Sequence, residues 1–312
     1  MVTAIRAMGH EPLWVVSRNK EYARYFSIDT GIPKTSTDVR RALRDQQVGF
    51  AYVNVVLDRR YYYISAACAA KKHILCDGPI STNSKHAYAL VAQSKESGVM
   101  LAVNQPHRAS TIHQTMRRLL REGEIGRLQS LLVVRGGPFQ PLAKRRSEEA
   151  KREGEILLDV SVYDVDLARF LTGEEPREVI VLPGALQESA QSQVAYSVRM
   201  TGDVIFQAYE SFSIAEIEST VMLAGEHGAL IAHGTLNDKG SRTLVRRVGS
   251  RNELTPVRER DPYHATLEDF LTSRHRPLSW LCRGEDSIQA LRTIEAIAEA
   301  NRKRRPVSLK QE

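Results

Sequence analysis

The sequence predicts an α/β protein in which a Rossmann-like, doubly wound parallel sheet is followed by an α+β domain with an open, mainly antiparallel sheet. Up to residue 106, short apolar runs alternate with helical patterns, and strands that alternate with helices pair in parallel through right-handed crossovers. Beyond that point strand-like segments follow one another closely with polar alternation, as in a sheet with one solvated face. The chain has 312 residues, 42% apolar and 26% charged, which suits two compact globular domains. The expected boundaries are 1–106 and 107–312.

In order along the chain, EPLWVVS, VGFAYVNVV, HILCD and VMLAVN read as buried strands. Helices lie between them. Thr35 and Asp38 have capping-box spacing ahead of VRRAL, and SKHAYALVAQSKESG places Ala87, Leu90 and Val91 on one face before stopping at Gly98. In the second domain TIHQTMRRLLREGEIG and LLDVSVYDVDLARFLTG read as helices. REVIVLP, QVAYSVRM, DVIFQAYESF, TVMLAG and ALIAHG read as strands separated by Gly, Asp, Ser and Asn. A terminal helix over 284–303 spaces Ile288, Leu291, Ile294 and Ile297 three apart, an apolar stripe expected to pack back on the first domain.

Composition excludes several function classes. No run approaches the roughly 18 uninterrupted apolar residues of a membrane span. Met1 opens without a leader pattern, so a cytoplasmic protein with no membrane partner is expected. The net charge is +7, but the basic groups Arg117–Arg121, Lys144–Arg146 and Asn301–Arg305 are not interleaved with aromatics. A nucleic-acid partner is therefore not expected, and the last group closes a helix whose C-terminal dipole favours cations. Cys68, Cys76 and Cys282 are widely spaced, with no C-x-x-C pair and no His at ligand spacing. They predict reduced, buried thiols and no metal site.

If the parallel sheet binds a dinucleotide with EPLWVVS as its second strand, that strand ends at Ser17 and Arg18, where an NAD site usually carries an acid for the ribose hydroxyls. A hydroxyl beside a planar cation suits a 2′-phosphate, so NADP is favoured over NAD. The alternative is a solvated loop.

Several segments recur in a known order. AACAAKKHILCDGPI leads a helix and strand into a turn; LLREGEIGRL, GEILLDVSVYDVDLARFLTG, GEHGAL and GEDSIQALRTIEAIAEANRKRRPVSL follow it. In this order and spacing the chain resembles the Gfo/Idh/MocA family of NAD(P)-dependent oxidoreductases, nearly end to end. The resemblance implies a sugar, cyclitol or similar small molecule bearing a hydroxyl or carbonyl, and a homo-oligomer formed through the open sheet. It aligns Asp77, Gly78 and Pro79 with the family's Glu-Lys-Pro turn, so the usual Lys is a glycine. Tyr163 stands at the usual catalytic His, while Asp159 and Asp166 are retained. Val55, Val56 and Arg60 replace a Thr-Pro turn and the His that follows it. Asn104 is the one recognisable member of the stretch after the fifth strand.

The implied site thus has Tyr163 and Asp159 as catalytic residues. Ser17, Arg18, Asn54, Asp77 and Pro79 contact the cofactor, NADP or NAD, and Asn104, His107 and Asp166 contact substrate. As an ordinary α-helix, Asp159, Tyr163 and Asp166 would share one face. His107 reads either as a replacement base or as a hydrogen-bonded structural residue, and Gly78 either as room for a bulky substrate or as a plain turn glycine.

A first strand and G-x-G-x-x-G turn, whose backbone amides receive the pyrophosphate, are not among these residues. TAIRAMG reads as the tail of the helix that follows such a turn. That strand is central in the order 3-2-1-4-5-6, so two half-sheets are expected. Three explanations stand: a start further upstream, another segment or subunit in the gap, or a rearranged domain that binds no dinucleotide. The function expected is a family oxidoreductase with a non-standard site. Against it stand a non-catalytic ligand-binding or regulatory member and a bulky-substrate enzyme resembling biliverdin reductase, a relative that also lacks the Lys.

Overall fold

Parallel strands and covering helices alternate through α1 (Val2–Ala7), β1 (Trp14–Val16), α2 (Lys20–Thr30), β2 (Lys34–Ser36), α3 (Val39–Leu43), β3 (Phe50–Val53), α4 (Arg60–Ala69), β4 (His73–Asp77), α5 (Ser84–Glu96) and β5 (Leu101–Asn104). The structure is a computed structural model that describes residues 1–137, 156–182, 193–236, 241–273 and 280–310. The basic group Lys144–Arg146 and Gly154 lie outside them. Asn19 and Asn83 start α2 and α5 by accepting the backbone N–H of Tyr22 and His86, which satisfies donors that a helix start leaves unpaired.

Two local expectations are corrected. Asp38 alone caps α3, accepting from the Arg40 N–H, because Thr35 is paired with Val15 inside β2. β2 itself is absent from the sequence expectation, since KTS contains no apolar run to announce it.

The parallel strands form two sheets. β1 pairs with β2, and β3, β4 and β5 pair in register, with β14 (Cys282–Arg283) added antiparallel at the β5 edge. Helix α1 contributes to the core beside each. Val2 packs on Val15, Ala23 and Ile32, while Ala4 and Ile5 join Leu75, Ala102, Leu267, Phe270 and Leu281.

The chain then runs through α6 (Pro106–Ala109), α7 (Thr111–Arg121), β6 (Leu128–Gly136), a π-helical turn (Leu157–Ser161), α8 (Val162–Thr172), β7 (Pro176–Val181), β8 (Gln193–Met200), β9 (Ile205–Ser211), β10 (Thr220–Gly225), β11 (Gly228–His233), β12 (Thr243–Val248) and β13 (Arg251–Leu254). α9 (Pro262–Thr272), β14, α10 (Gly284–Lys303) and β15 (Val307–Ser308) complete it. It divides into one unit of Met1–Pro106 with Asp261–Ser287 and another of His107–Arg260 with Ile288–Glu312. Residues 261–287, which the sequence places in the second domain, thus cluster with the first.

The second unit holds one nine-stranded sheet, ordered β13-β12-β11-β10-β6-β9-β8-β7-β15. All its pairs are antiparallel except β6 with β9. Alternation along β8 and β9 buries Val194, Tyr196, Val198 and Met200, then Phe206, Ala208 and Glu210. The stripe Ile288, Leu291, Ile294 and Ile297 on α10 is buried. Among the described residues no helix is long and apolar enough to cross a membrane.

Phe270 is buried and meets Phe50 edge to face at 5.5 Å. Phe270→Ala is expected to lower the unfolding free energy by about 3–5 kcal/mol, read from the midpoint of a urea titration at unchanged slope.

Candidate functional site

In the first unit the predicted residues gather at carboxyl ends of parallel strands, where open α/β sheets bind ligands. Ser17 follows β1: its N–H donates to the Ser36 carbonyl at 3.1 Å and its hydroxyl accepts from the Asn19 N–H at 3.2 Å. Arg18 beside it is exposed, as is Asn54 just past β3. Asp77 ends β4 and Asn104 ends β5, and the register places them opposite each other.

The Asn104 amide donates to Asp77 Oδ1 at 2.8 Å. Tyr52 hydrogen-bonds to the same carboxylate, and burial together with that charge pushes its phenol far up. Two acceptors are left over. Asn104 Oδ1 and Gln105 Oε1 are buried without a protein partner, in residues only 3% and 4% exposed. Buried polar atoms are nearly always hydrogen-bonded, so these carbonyls suit a ligand that brings N–H or O–H donors.

The turn between Asp77 and Ile80 is held by backbone contacts. Gly78 adopts φ 83°, the left-handed region that a side chain disfavours. Arg60 Nε donates to the Val55 carbonyl at 3.1 Å, and its Nη1 donates to the carbonyl of Pro79. One guanidinium therefore ties the loop after β3 to the turn after β4. Burial pushes the nearby Cys76 thiol up to about 11, which removes it as a nucleophile near neutral pH.

In the second unit the predicted helix divides. Asp159 lies in the π-helical turn and Tyr163 in α8. Bonds of the i→i+5 type change the angular spacing, so the shared-face argument for Asp159 and Tyr163 does not hold. Both side chains are partly buried. Asp166 is 1% exposed, and Arg108 grips both its oxygens at 2.7 Å. It joins α6 to α8 as a bidentate ion pair.

His107 contacts Tyr163 edge to face, with ring centroids 6.3 Å apart. Its Nε2 lies 3.4 Å from Arg135 Nη1 and 3.9 Å from Asp164 Oδ1. Burial, then Arg135, His113 and Arg242, hold its pKa well below the ordinary histidine range, so the ring is neutral near pH 7. His113 donates from Nδ1 to the His107 carbonyl at 2.8 Å, and its Nε2 pairs with the Thr235 hydroxyl at 3.0 Å. Burial brings it down to about 4.

Sequence reasoning missed Tyr52, Arg108, Arg135, Asp164, Tyr196 and Glu210. Arg135 Nη1 donates to Asp164 Oδ1 at 3.1 Å. The Tyr196 hydroxyl donates to Glu210 Oε1 at 2.8 Å and the Ser161 hydroxyl to Oε2. One signal was available: Glu210 falls on the buried phase of β9, in step with Phe206 and Ala208, where a carboxylate requires partners. Among the described residues no group of three or more His, Cys, Asp or Glu could hold a metal ion.

Removing Arg108 would take both short bonds from a buried carboxylate and leave Arg169 at 3.9 Å as its cation. Arg108→Ala is expected to cost about 3–5 kcal/mol by chemical denaturation, and adding Asp166→Asn should recover part of the loss.

Comparison with known proteins identifies the family and the fold. Residues 3–105 match the model described as "Oxidoreductase family, NAD-binding Rossmann fold", and residues 113–235 match "GFO/IDH/MocA C-terminal domain". A 1,5-anhydro-D-fructose reductase of Ensifer adhaerens is 28% identical over 304 residues, covering 96% of this chain and 91% of that one. Among solved structures, the aldose-aldose oxidoreductase of Caulobacter crescentus complexed with glycerol superposes with a TM-score of 0.86 at 20% identity, covering 99% of this chain and 95% of its own. A levoglucosan dehydrogenase in complex with NADH and levoglucosan gives 0.81 at 18% identity, with coverages of 96% and 90%. The chain belongs to the Gfo/Idh/MocA family of oxidoreductases, with that family's NAD(P)-binding Rossmann fold in its first unit and its C-terminal domain in its second.

Proposed function

We propose that the chain is an NADP-preferring oxidoreductase that interconverts a hydroxyl and a carbonyl on a sugar or cyclitol, with Tyr163 in place of the usual histidine. The observation that carries this reading is the pair of unpartnered buried carbonyls, Asn104 Oδ1 and Gln105 Oε1, at the strand end where the Rossmann fold receives its ligand. The three relatives described above are each named for a sugar, an anhydrosugar or an aldose.

NADP, when bound, accepts or supplies the hydride. The remaining roles belong to the chain. The Arg18 guanidinium and Ser17 hydroxyl hold the 2′-phosphate, Asn54 and Pro79 border the cofactor, and Asn104 and Gln105 accept donors from the bound ligands. Asp77 is kept in one orientation by Asn104 and Tyr52.

Tyr163 gives a proton to the oxygen that becomes the alcohol, with Asp159 assigned to the same step from the π-helical turn before α8. A phenol carries the O–H donor that this step needs. His107, kept neutral, stands at the edge of the Tyr163 ring. Assembly through the exposed face of the nine-stranded sheet and a cytoplasmic location belong to the same reading.

The rival reading is a relative that binds a ligand without turnover, and Gly78 favours it. Its backbone conformation suits glycine, so no ammonium stands at that turn. Fluorescence titration with NADPH and NADH separates the two. Tighter binding of NADPH supports the enzyme, and binding of neither nucleotide supports the rival.

Two variants refine the test. Arg18→Ala is expected to weaken NADPH by about 10- to 100-fold, the loss of a hydrogen bond to a charged group, with little change for NADH. Tyr163→Phe is expected to lower turnover of 1,5-anhydro-D-fructose or an aldose by about 10²–10⁴-fold, with NADPH affinity unchanged. Turnover at the unaltered rate in Tyr163→Phe would remove Tyr163 from the chemistry.

A further inference from the structure

Two carboxyl groups shut away from water face one cation beneath α8. Asp164 on α8 and Glu210 on β9 are both 0% exposed. The titratable and charged groups around them are Arg135 on β6, Tyr196 on β8 and His107 on α6, with the Ser161 hydroxyl closing the remaining side. Arg135 occupies Asp164 Oδ1. Tyr196 and Ser161 occupy the two oxygens of Glu210. Asp164 Oδ2 is buried with no donor from any group that ordinarily carries a hydrogen, yet it belongs to a carboxyl within hydrogen-bonding reach of Glu210.

Two ionised carboxylates here would set two negative charges against one guanidinium in a dry site, where an uncompensated charge is strongly disfavoured. A carboxyl oxygen that carries a proton keeps a lone pair, so Glu210 can donate while still accepting from Tyr196 and Ser161. We propose that Asp164 and Glu210 hold one proton between them, donated by Glu210 to Asp164 Oδ2, and that the single remaining negative charge fixes Arg135 beside His107. Burial pushes both carboxyls upward, and the Asp164 charge pushes Glu210 further.

These are positioning residues. Arg135 Nη1 bonds to Asp164 and points at His107 Nε2 from 3.4 Å, and the His107 ring lies against Tyr163. A second negative charge in this pocket would favour protonation of His107, whereas a pair with one proton keeps that ring neutral. Only this consequence for Tyr163 rests on the catalytic reading above.

The sign of the pH dependence follows. The folded state retains a proton that the unfolded chain releases above its ordinary carboxyl range, about 4.3. The resulting stability is complete below that range and is lost as pH rises through the folded value. Glu210→Gln replaces the shared proton with an amide N–H that donates at every pH. Its stability should match the wild type in acid and exceed it in alkali.

The direct test is infrared spectroscopy of the full chain in D₂O near neutral pH, reading the C=O stretch of a protonated buried carboxylic acid. The expected result is such a band in the wild type and its loss in both Glu210→Gln and Asp164→Asn, because in each variant the one remaining carboxyl keeps the charge that faces Arg135. A wild type without the band, or a band that persists in either variant, overturns the proposal. No nucleotide or substrate enters the measurement, so failure to bind NADPH would count against the catalytic reading and leave this one standing.

Discussion

Helix α8 must bury charge, and each buried charge requires a partner. Asp164, Asp166 and Arg169 are all buried on it, and desolvating an ion that lacks a counter-charge is among the most unfavourable things a fold can do. Asp166 and Arg169 lie 3.9 Å apart, and each of the three also has a partner outside the helix. Asp164 meets Arg135 on β6, Asp166 meets Arg108 on α6, and Arg169 meets Glu175 just before β7 with contacts of 2.6 and 2.7 Å. A helix held in this way at three points has little freedom to slide or rotate, so the side chains of Tyr163 and His107 inherit a fixed frame. Packing alone would fix its depth and leave its register freer.

The fold was legible where apolar periodicity is strong and obscure where polar residues make the element. QVAYSVRM and the stripe on α10 announce themselves because every second, or every third to fourth, side chain enters the core. The central strand β6 was not foreseen: LQSLLVVRG combines a polar start with an unbroken apolar middle, a pattern shared by short buried helices and strands. β12 and β13 were missed because Arg246, Arg247, Arg251, Asn252 and Glu253 give them no apolar phase.

The candidate site was legible only in part, for a different reason. Motif order brings Asp77, Asn104 and Tyr163 forward as candidates from the chain alone. It does not reveal which acids are consumed internally. Asp159, Asp164 and Asp166 look alike in LLDVSVYDVDLARF. The partners that fix Asp164 and Asp166 lie on α6, β6 and β9, far away in sequence. The π-helical turn compounds the difficulty. It breaks the 3.6-residue arithmetic at the point where Asp159 was matched to Tyr163.

In the first unit the turn after β4 rests on two residues. Gly78 sits at positive φ, and Arg60 donates to the backbone carbonyls of Val55 and Pro79. The shape of the turn is held by backbone geometry and a single guanidinium. Groups suited to proton transfer are concentrated in the second unit, where a neutral His107 meets the Tyr163 ring and lies 3.9 Å from Asp164, one of two buried carboxyls. Low local dielectric strengthens every electrostatic term there, so a proton lodged between Asp164 and Glu210 sets the charge seen by Arg135 and His107 more firmly than any exposed residue could.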